Sequence, residues 1–295
     1  MKEEIFVARD GKKLSLYVWD NVPSPFCAVQ IIHGMGDCGS RYEELASFLN
    51  KKGIIAYSLD LRGHGKTDED NHGYGYEGNS FEETTCDVME IASFIKNKYA
   101  LPVFLLGYSY GASVAMRYLS YTDDKLSGII LCSPLYLSSF TSSAFHLFTK
   151  MSSSKPKANK KTIFDHFDKK IGEGCGSWLN RDKEEIEKFK NHPLCSFTCS
   201  KDFMISFAKG QKAIAKAQYK TVNKNVKVLV LSGSEDVLSN KGKNTLKLAK
   251  RYEKHGFKTD YALYDGARHD ILHEINMYEV YDDIFSFIMK TVTFA

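Results

Sequence analysis

A chain of 295 residues that is 43% apolar and 26% charged, with only 6 prolines, excludes a disordered or low-complexity protein and can bury one large core. The net charge of +4 is modest. No nucleic-acid partner is expected, no apolar run reaches the length of a membrane span, and the alternating polar and apolar start has no leader-like apolar stretch.

The charge is unevenly spread. Residues 138–223 hold 16 Lys+Arg against 8 Asp+Glu, and the remainder holds 24 against 28. A basic segment on a mildly acidic body suits an anionic surface such as lipid headgroups, or a solvated lysine-rich face. The 7 cysteines show no metal-ligand spacing, Cys195 and Cys199 being the nearest pair, so free thiols in a reducing cytoplasm and no metal are expected.

In chain order, residues 3–9 and 13–20 read as a hairpin around Asp10-Gly11. A buried strand at 27–32 runs into His33-Gly34-Met35-Gly36-Asp37, and a helix over 41–52 carries Leu45, Phe48 and Leu49 on one face before Gly53 ends it. A strand at 54–59 leads through a glycine-rich loop, as far as Asn79, to a helix over 81–98. Strands follow at 103–106, 128–132, 226–233 and 258–264, with helices after Ser109, over 241–254 and from 277, the last capped reciprocally by Asn276 and Glu279. Residues 138–223 interrupt the alternation with helices and loops, among them the lysine-rich stretch 152–161 and an apolar stripe of Ala144, Leu147, Phe148 and Met151. This alternation predicts a mostly parallel twisted sheet with helices on both faces, its core built from residues 1–137 and 224–295, and an inserted, mainly helical cap over 138–223.

The stretch LPVFLLGYSYGASVAM at 101–116 carries the chemistry. A run of β-formers drives into Gly107-Tyr108-Ser109-Tyr110-Gly111 and a helix follows at once, the strand-turn-helix setting of a nucleophile elbow. A serine hydroxyl needs a base, and the base an orienting carboxylate, each on a loop at the carboxyl end of a strand and in the order Ser, acid, His. Those loops offer Asp236, with Glu235 as rival, and His269, with His273 as rival. His33 and His64 fall outside that order and read as loop anchors. For a developing oxyanion the backbone donors are Tyr110, after the nucleophile, and Met35 in the first glycine-rich loop, with Gly36 the fallback.

HGMGDCGSRYEELASFL, LDLRGHGKTD, GYSYGA, SEDVLS and GARHDILHE occur in the order and spacing of the α/β-hydrolase superfamily, and the chain resembles its monoacylglycerol lipase and lysophospholipase branch over essentially its full length. The resemblance implies the triad Ser109, Asp236 and His269, with Met35 and Tyr110 as oxyanion donors. It departs at Tyr108 and Tyr110, where relatives carry His and Met, which bears on acyl preference. The inserted segment holds 9 of the 19 phenylalanines, and Phe145, Phe148, Phe203 and Phe207 either line an acyl channel or pack the insertion onto the core. The expectation is a cofactor-free serine ester hydrolase acting on monoacylglycerols or lysophospholipids, cytoplasmic and in peripheral contact with anionic membrane through its basic cap. An aminopeptidase or amidase, a short-chain carboxylesterase and a non-catalytic binding fold are the alternatives.

Overall fold

The computed structural model describes residues 1–69, 80–121, 126–151, 167–169 and 171–293. Strands β1 (Lys2–Val7) and β2 (Lys13–Trp19) form an antiparallel hairpin whose turn carries Gly11 at φ 87°, a left-handed conformation that suits glycine. β2 joins the sheet antiparallel to β4 (Ile54–Leu59). From there β3 (Cys27–Ile32), β5 (Val103–Tyr108), β6 (Leu126–Cys132), β7 (Lys227–Gly233) and β8 (Thr259–Tyr264) run parallel, in the order β1-β2-β4-β3-β5-β6-β7-β8. The central strands are buried along their whole length because both sheet faces are covered.

Neighbouring residues on a strand point to opposite faces, so β5 sends Leu105 into one core and Phe104 and Leu106 into the other. The first core is closed by α2 (Ser80–Tyr99), through Val88, Ile91 and Ile95, by α3 (Tyr110–Tyr118) and by α7 (Lys243–Lys254). The second is closed by α1 (Glu43–Lys51), through Leu45 and Leu49, and by α8 (Met277–Thr293), through Val280, Ile284 and Ile288. The expected α/β architecture is the one observed. The expected reciprocal cap on α8 takes another form, because Asn276 donates to the Glu279 carboxylate at 3.1 Å while its own oxygen accepts from Arg181 at 2.8 Å. That draws the side chain toward the insertion and away from the helix end.

Between β6 and β7 the described residues form helices α4 (Ser139–Met151), α5 (Lys183–Asn191) and α6 (Lys201–Lys216). Asp182 caps α5 by accepting from the Glu184 and Glu185 amides, and Ser200 caps α6 by accepting from Phe203 N. α6 packs against α2, α3 and α4. The lysine-rich stretch 152–161 and the glycine-rich loop before Asn79 lie mostly or wholly outside the described residues. Helix α4 forms with the expected period, but its apolar stripe faces outward: Leu147, Phe148 and Met151 are 59%, 69% and 77% exposed. Ser142, Phe145 and Thr149 face inward instead, with the Phe145 ring 6.0 Å from Phe207. Periodicity fixes which residues share a helix face, while contact with α6 decides which face is covered.

Candidate active site

The strand ends bring the candidate residues to one rim of the sheet. Ser109 sits between β5 and α3 at φ 52° and ψ −106°, a strained backbone for a non-glycine residue. Its amide donates to Cys132 O at 3.0 Å, which ties the turn to the end of β6. The two flanking glycines allow close approach. A Cβ on Gly107 would lie 2.4 Å from Gly111 O, and one on Gly111 would lie 2.1 Å from Ile32 O, so a side chain at the first would force β5 away from α3 and one at the second would push the elbow off β3.

Ser109 Oγ lies 2.9 Å from His269 Nε2, and His269 Nδ1 lies 3.1 Å from Asp236 Oδ1. Asp236 is fully buried, and the same oxygen accepts from Leu238 N at 2.9 Å. Its other oxygen has no partner among the described residues, so a buried and incompletely satisfied carboxylate faces the imidazole. This network assigns the proton on His269 to Nδ1 and leaves Nε2 to accept from the serine hydroxyl.

The rival residues are committed elsewhere. Glu235 pairs at the surface with Lys241 at 2.6 Å. His273 binds Asp270 through Nδ1 at 2.8 Å and Arg41 O through Nε2 at 3.2 Å. Burial pushes the His273 imidazole down, but the Asp270 carboxylate outweighs it and holds the group above its ordinary value. His33 Nε2 accepts from Leu61 N at 3.0 Å, and His64 Nε2 accepts from Gly36 N at 3.1 Å. Burial, and then the neighbouring His33, push His64 down to about 3, so it stays a neutral acceptor. The Gly36 amide, the fallback oxyanion donor, is therefore already engaged by His64. Tyr110 opens α3, and its amide is among those with no partner inside the helix.

The loop after β3 is held by a buried ionic cluster. Arg41 reaches Asp37 at 2.9 Å, Glu185 at 2.8 Å and Asp270 at 3.4 Å, and Tyr42 Oη donates to Asp37 at 2.9 Å. Burial raises the Asp37 carboxyl, but Arg41 and the nearby histidines prevail and hold it well below the usual carboxylate range. The cluster ties together the loop carrying Met35, the segment after β8 and the inserted α5.

Phe203 and Phe207 are buried, with ring centroids each 5.2 Å from Tyr110, and Phe203 also packs 5.5 Å from His64. With Phe145 behind Phe207 they wall the side of the elbow occupied by Tyr110. Phe148 does not belong to this group. It lies on the exposed outer face of α4.

Trp178, which the sequence counts among the aromatics of the inserted segment suited to an acyl channel, has its ring 5.4 Å from His269, and Tyr108 lies 5.5 Å from the same imidazole. Trp178 belongs to a stretch of the insertion stitched to the His269 loop: Asp270 N donates to Leu179 O at 2.7 Å, Arg268 donates to Ser177 O and Asn180 O, and Arg181 pairs with buried Glu274 at 2.9 Å. The signal in the sequence was the aromatic richness of residues 138–223, which does not specify a partner 91 positions away.

Among known proteins the chain is similar to human monoglyceride lipase, 28% identical over 287 residues, covering 92% of this chain and 88% of that protein. Its fold matches a thermostable carboxyl esterase from Bacillus coagulans (TM-score 0.87, 22% identity, 99% of this chain and 98% of that one). It also matches a soluble variant of monoglyceride lipase from Saccharomyces cerevisiae (TM-score 0.74, 20% identity, 98% and 94%). The family model described as "Serine aminopeptidase, S33" matches residues 23–276, spanning the elbow, the insertion and both later strand-end loops. The chain belongs to that family and is a serine hydrolase.

Proposed function

We propose that this enzyme hydrolyses single-chain carboxylic esters of the monoacylglycerol or lysophospholipid kind through an acyl-enzyme on Ser109. The observation that carries the reading is the unbroken relay from Ser109 through His269 to Asp236. In that relay His269 Nε2 takes the hydroxyl proton as Ser109 attacks the ester carbonyl. The imidazolium so formed is stabilised by the buried Asp236 charge, and it returns the proton to the leaving alcohol. The Met35 and Tyr110 amides donate to the tetrahedral oxyanion, with Tyr110 at the positive end of α3. Water, activated by His269, then attacks the acyl-enzyme and releases the free acid.

The substrate class is supported by the resemblance to monoglyceride lipases and by the aromatic wall beside Tyr110. Residues 138–223 act in this reading as a cap, with the remaining residues as the hydrolase core. The exposed Phe140, Leu147, Phe148 and Met151 on α4, within the basic segment, suit peripheral contact with an anionic membrane. Seven free cysteines suit the cytoplasm, and no described helix is long and apolar enough to cross a membrane.

The test of substrate class is a release assay across monoacylglycerols and lysophospholipids of increasing acyl length, run beside aminoacyl amides. Fatty acid is released fastest from a long-chain monoester. Faster cleavage of the amides, or release confined to the shortest esters, would overturn the assignment.

Membrane contact is tested by Phe148→Asp with Met151→Asp. Each buried apolar side chain contributes about 1.5–3 kcal/mol, so affinity for anionic vesicles falls at least tenfold, by the rule that about 1.4 kcal/mol is one decade. Turnover of a water-soluble short ester stays the same. Unchanged vesicle binding in a sedimentation assay would remove α4 from the interface.

A further inference from the structure

We propose that Cys38, His192 and Cys195 form a binding site for a zinc-class divalent ion that ties the loop after β3 to the segment after α5. Cys195 Sγ lies 3.5 Å from Cys38 Sγ and 3.4 Å from His192 Nδ1, and Cys38 Sγ lies 3.9 Å from the same nitrogen. Zinc bonds of about 2.3 Å to sulfur and about 2.0–2.1 Å to imidazole set the edges of a tetrahedron near 3.8 Å (sulfur to sulfur) and 3.5 Å (sulfur to nitrogen). The three atoms already lie close to one face of that tetrahedron. Asp37 Oδ1 lies 3.8 Å from Cys195 Sγ but already accepts from Arg41 and from Cys38 N, so the donor set is the two thiols and the imidazole.

The frame that holds these donors does not depend on the ion. His192 and Cys195 present their side chains from a tight turn closed by Cys195 N donating to His192 O at 3.1 Å. The next residue fastens this turn to the opposing loop, Ser196 N donating to Gly36 O at 2.8 Å. Cys38 is held by its amide, which donates to Asp37 Oδ1 at 2.8 Å. Both thiols are buried while His192 is only partly so, which shields the sulfurs and leaves a route of entry on the imidazole side. The Nδ1 lone pair that now accepts from Leu194 N at 3.2 Å is the one that would take the metal.

Binding forms two metal–sulfur bonds and one metal–nitrogen bond and releases two thiol protons to solvent. Two thiolates neutralise the dication, so the occupied site adds no net buried charge. A disulfide between Cys38 and Cys195 is the competing chemistry. It requires the sulfurs to close from 3.5 Å to about 2.05 Å and needs an oxidant.

The experiment is anaerobic titration of the reduced full-length protein with Co²⁺, followed by displacement with Zn²⁺. One equivalent binds, with a thiolate-to-cobalt charge-transfer band and tetrahedral ligand-field bands, and Zn²⁺ raises the thermal midpoint. Cys195→Ala and His192→Ala each weaken binding by about 100-fold or more, at or beyond the upper range for lost supporting contacts. Cys199→Ser and Ser109→Ala bind as wild type does, which separates this site from the hydrolytic one. Absence of the thiolate band in wild type, or its persistence in Cys195→Ala, would overturn the proposal. So would loss of two titratable thiols on air exposure in a protein with no cobalt affinity, since that identifies a redox pair. His192 is partly exposed, so a misfolded cysteine variant would not leave the outcome undecided.

Discussion

Asp236→Asn lowers kcat for ester hydrolysis by about 10⁴-fold, and Ser109→Ala by about 10⁶-fold, with the circular dichroism spectrum unchanged in both. The two losses differ because, in the proposed relay, the residues act at different removes. Ser109 supplies the atom that forms the acyl bond. Asp236 acts only through His269, by fixing the proton on Nδ1 at 3.1 Å and by lowering the energy of the imidazolium. An asparagine at 236 can turn its amide N–H toward Nδ1, which forces the proton onto Nε2, where it faces the serine hydroxyl and cannot accept. Single-turnover labelling with a fluorophosphonate separates the roles. Wild type labels rapidly, Asp236→Asn slowly and Ser109→Ala not at all. More than a few per cent of wild-type turnover in Ser109→Ala, or wild-type labelling of Asp236→Asn, would remove these residues from their assigned roles.

Arg41→Ala destabilises the fold by about 3–5 kcal/mol, because it strips the cation from a cluster in which Asp37 and Asp270 are both buried. Taking a shift of about 2–4 °C per kcal/mol, the thermal midpoint falls by roughly 6–20 °C. Glu185 lies at the rim of the same cluster, and Glu185→Gln changes stability by no more than about 1 kcal/mol. The contrast is diagnostic. Coulombic attraction to Arg41 is shared by all three carboxylates, but the penalty for an unpaired charge grows steeply with burial. Equal losses in the two variants on chemical denaturation would show that burial does not set the energetics of this cluster. Since Asp37 follows directly on Met35 and Gly36, Arg41→Ala also loosens the loop that offers the Met35 amide. The surviving folded enzyme therefore has a lower kcat with little change in KM.

The sequence by itself pointed to the sheet, the elbow and the strand-end loops from which Ser109, Asp236 and His269 meet. These are local matters: a strand is written in a run of β-formers, the Ser109 turn in glycines two positions either side, and Asp236 and His269 in being polar residues in the loops just past strand ends. Parallel strands carry their ends to one rim, so the strand ends narrowed the choice to Asp236 or Glu235 and to His269 or His273, and the fold decided which of them meet. Tertiary structure alone decided that α4 turns Phe148 to solvent, that the Gly36 amide belongs to His64, and that Trp178 lies against His269. The same holds for Cys38, which meets His192 and Cys195 only after more than 150 intervening residues have folded. A single chain segment encodes the preferences of its own backbone and the spacing of its own faces. Which face is covered, and by what, depends on the shape of another segment, and no local pattern contains it.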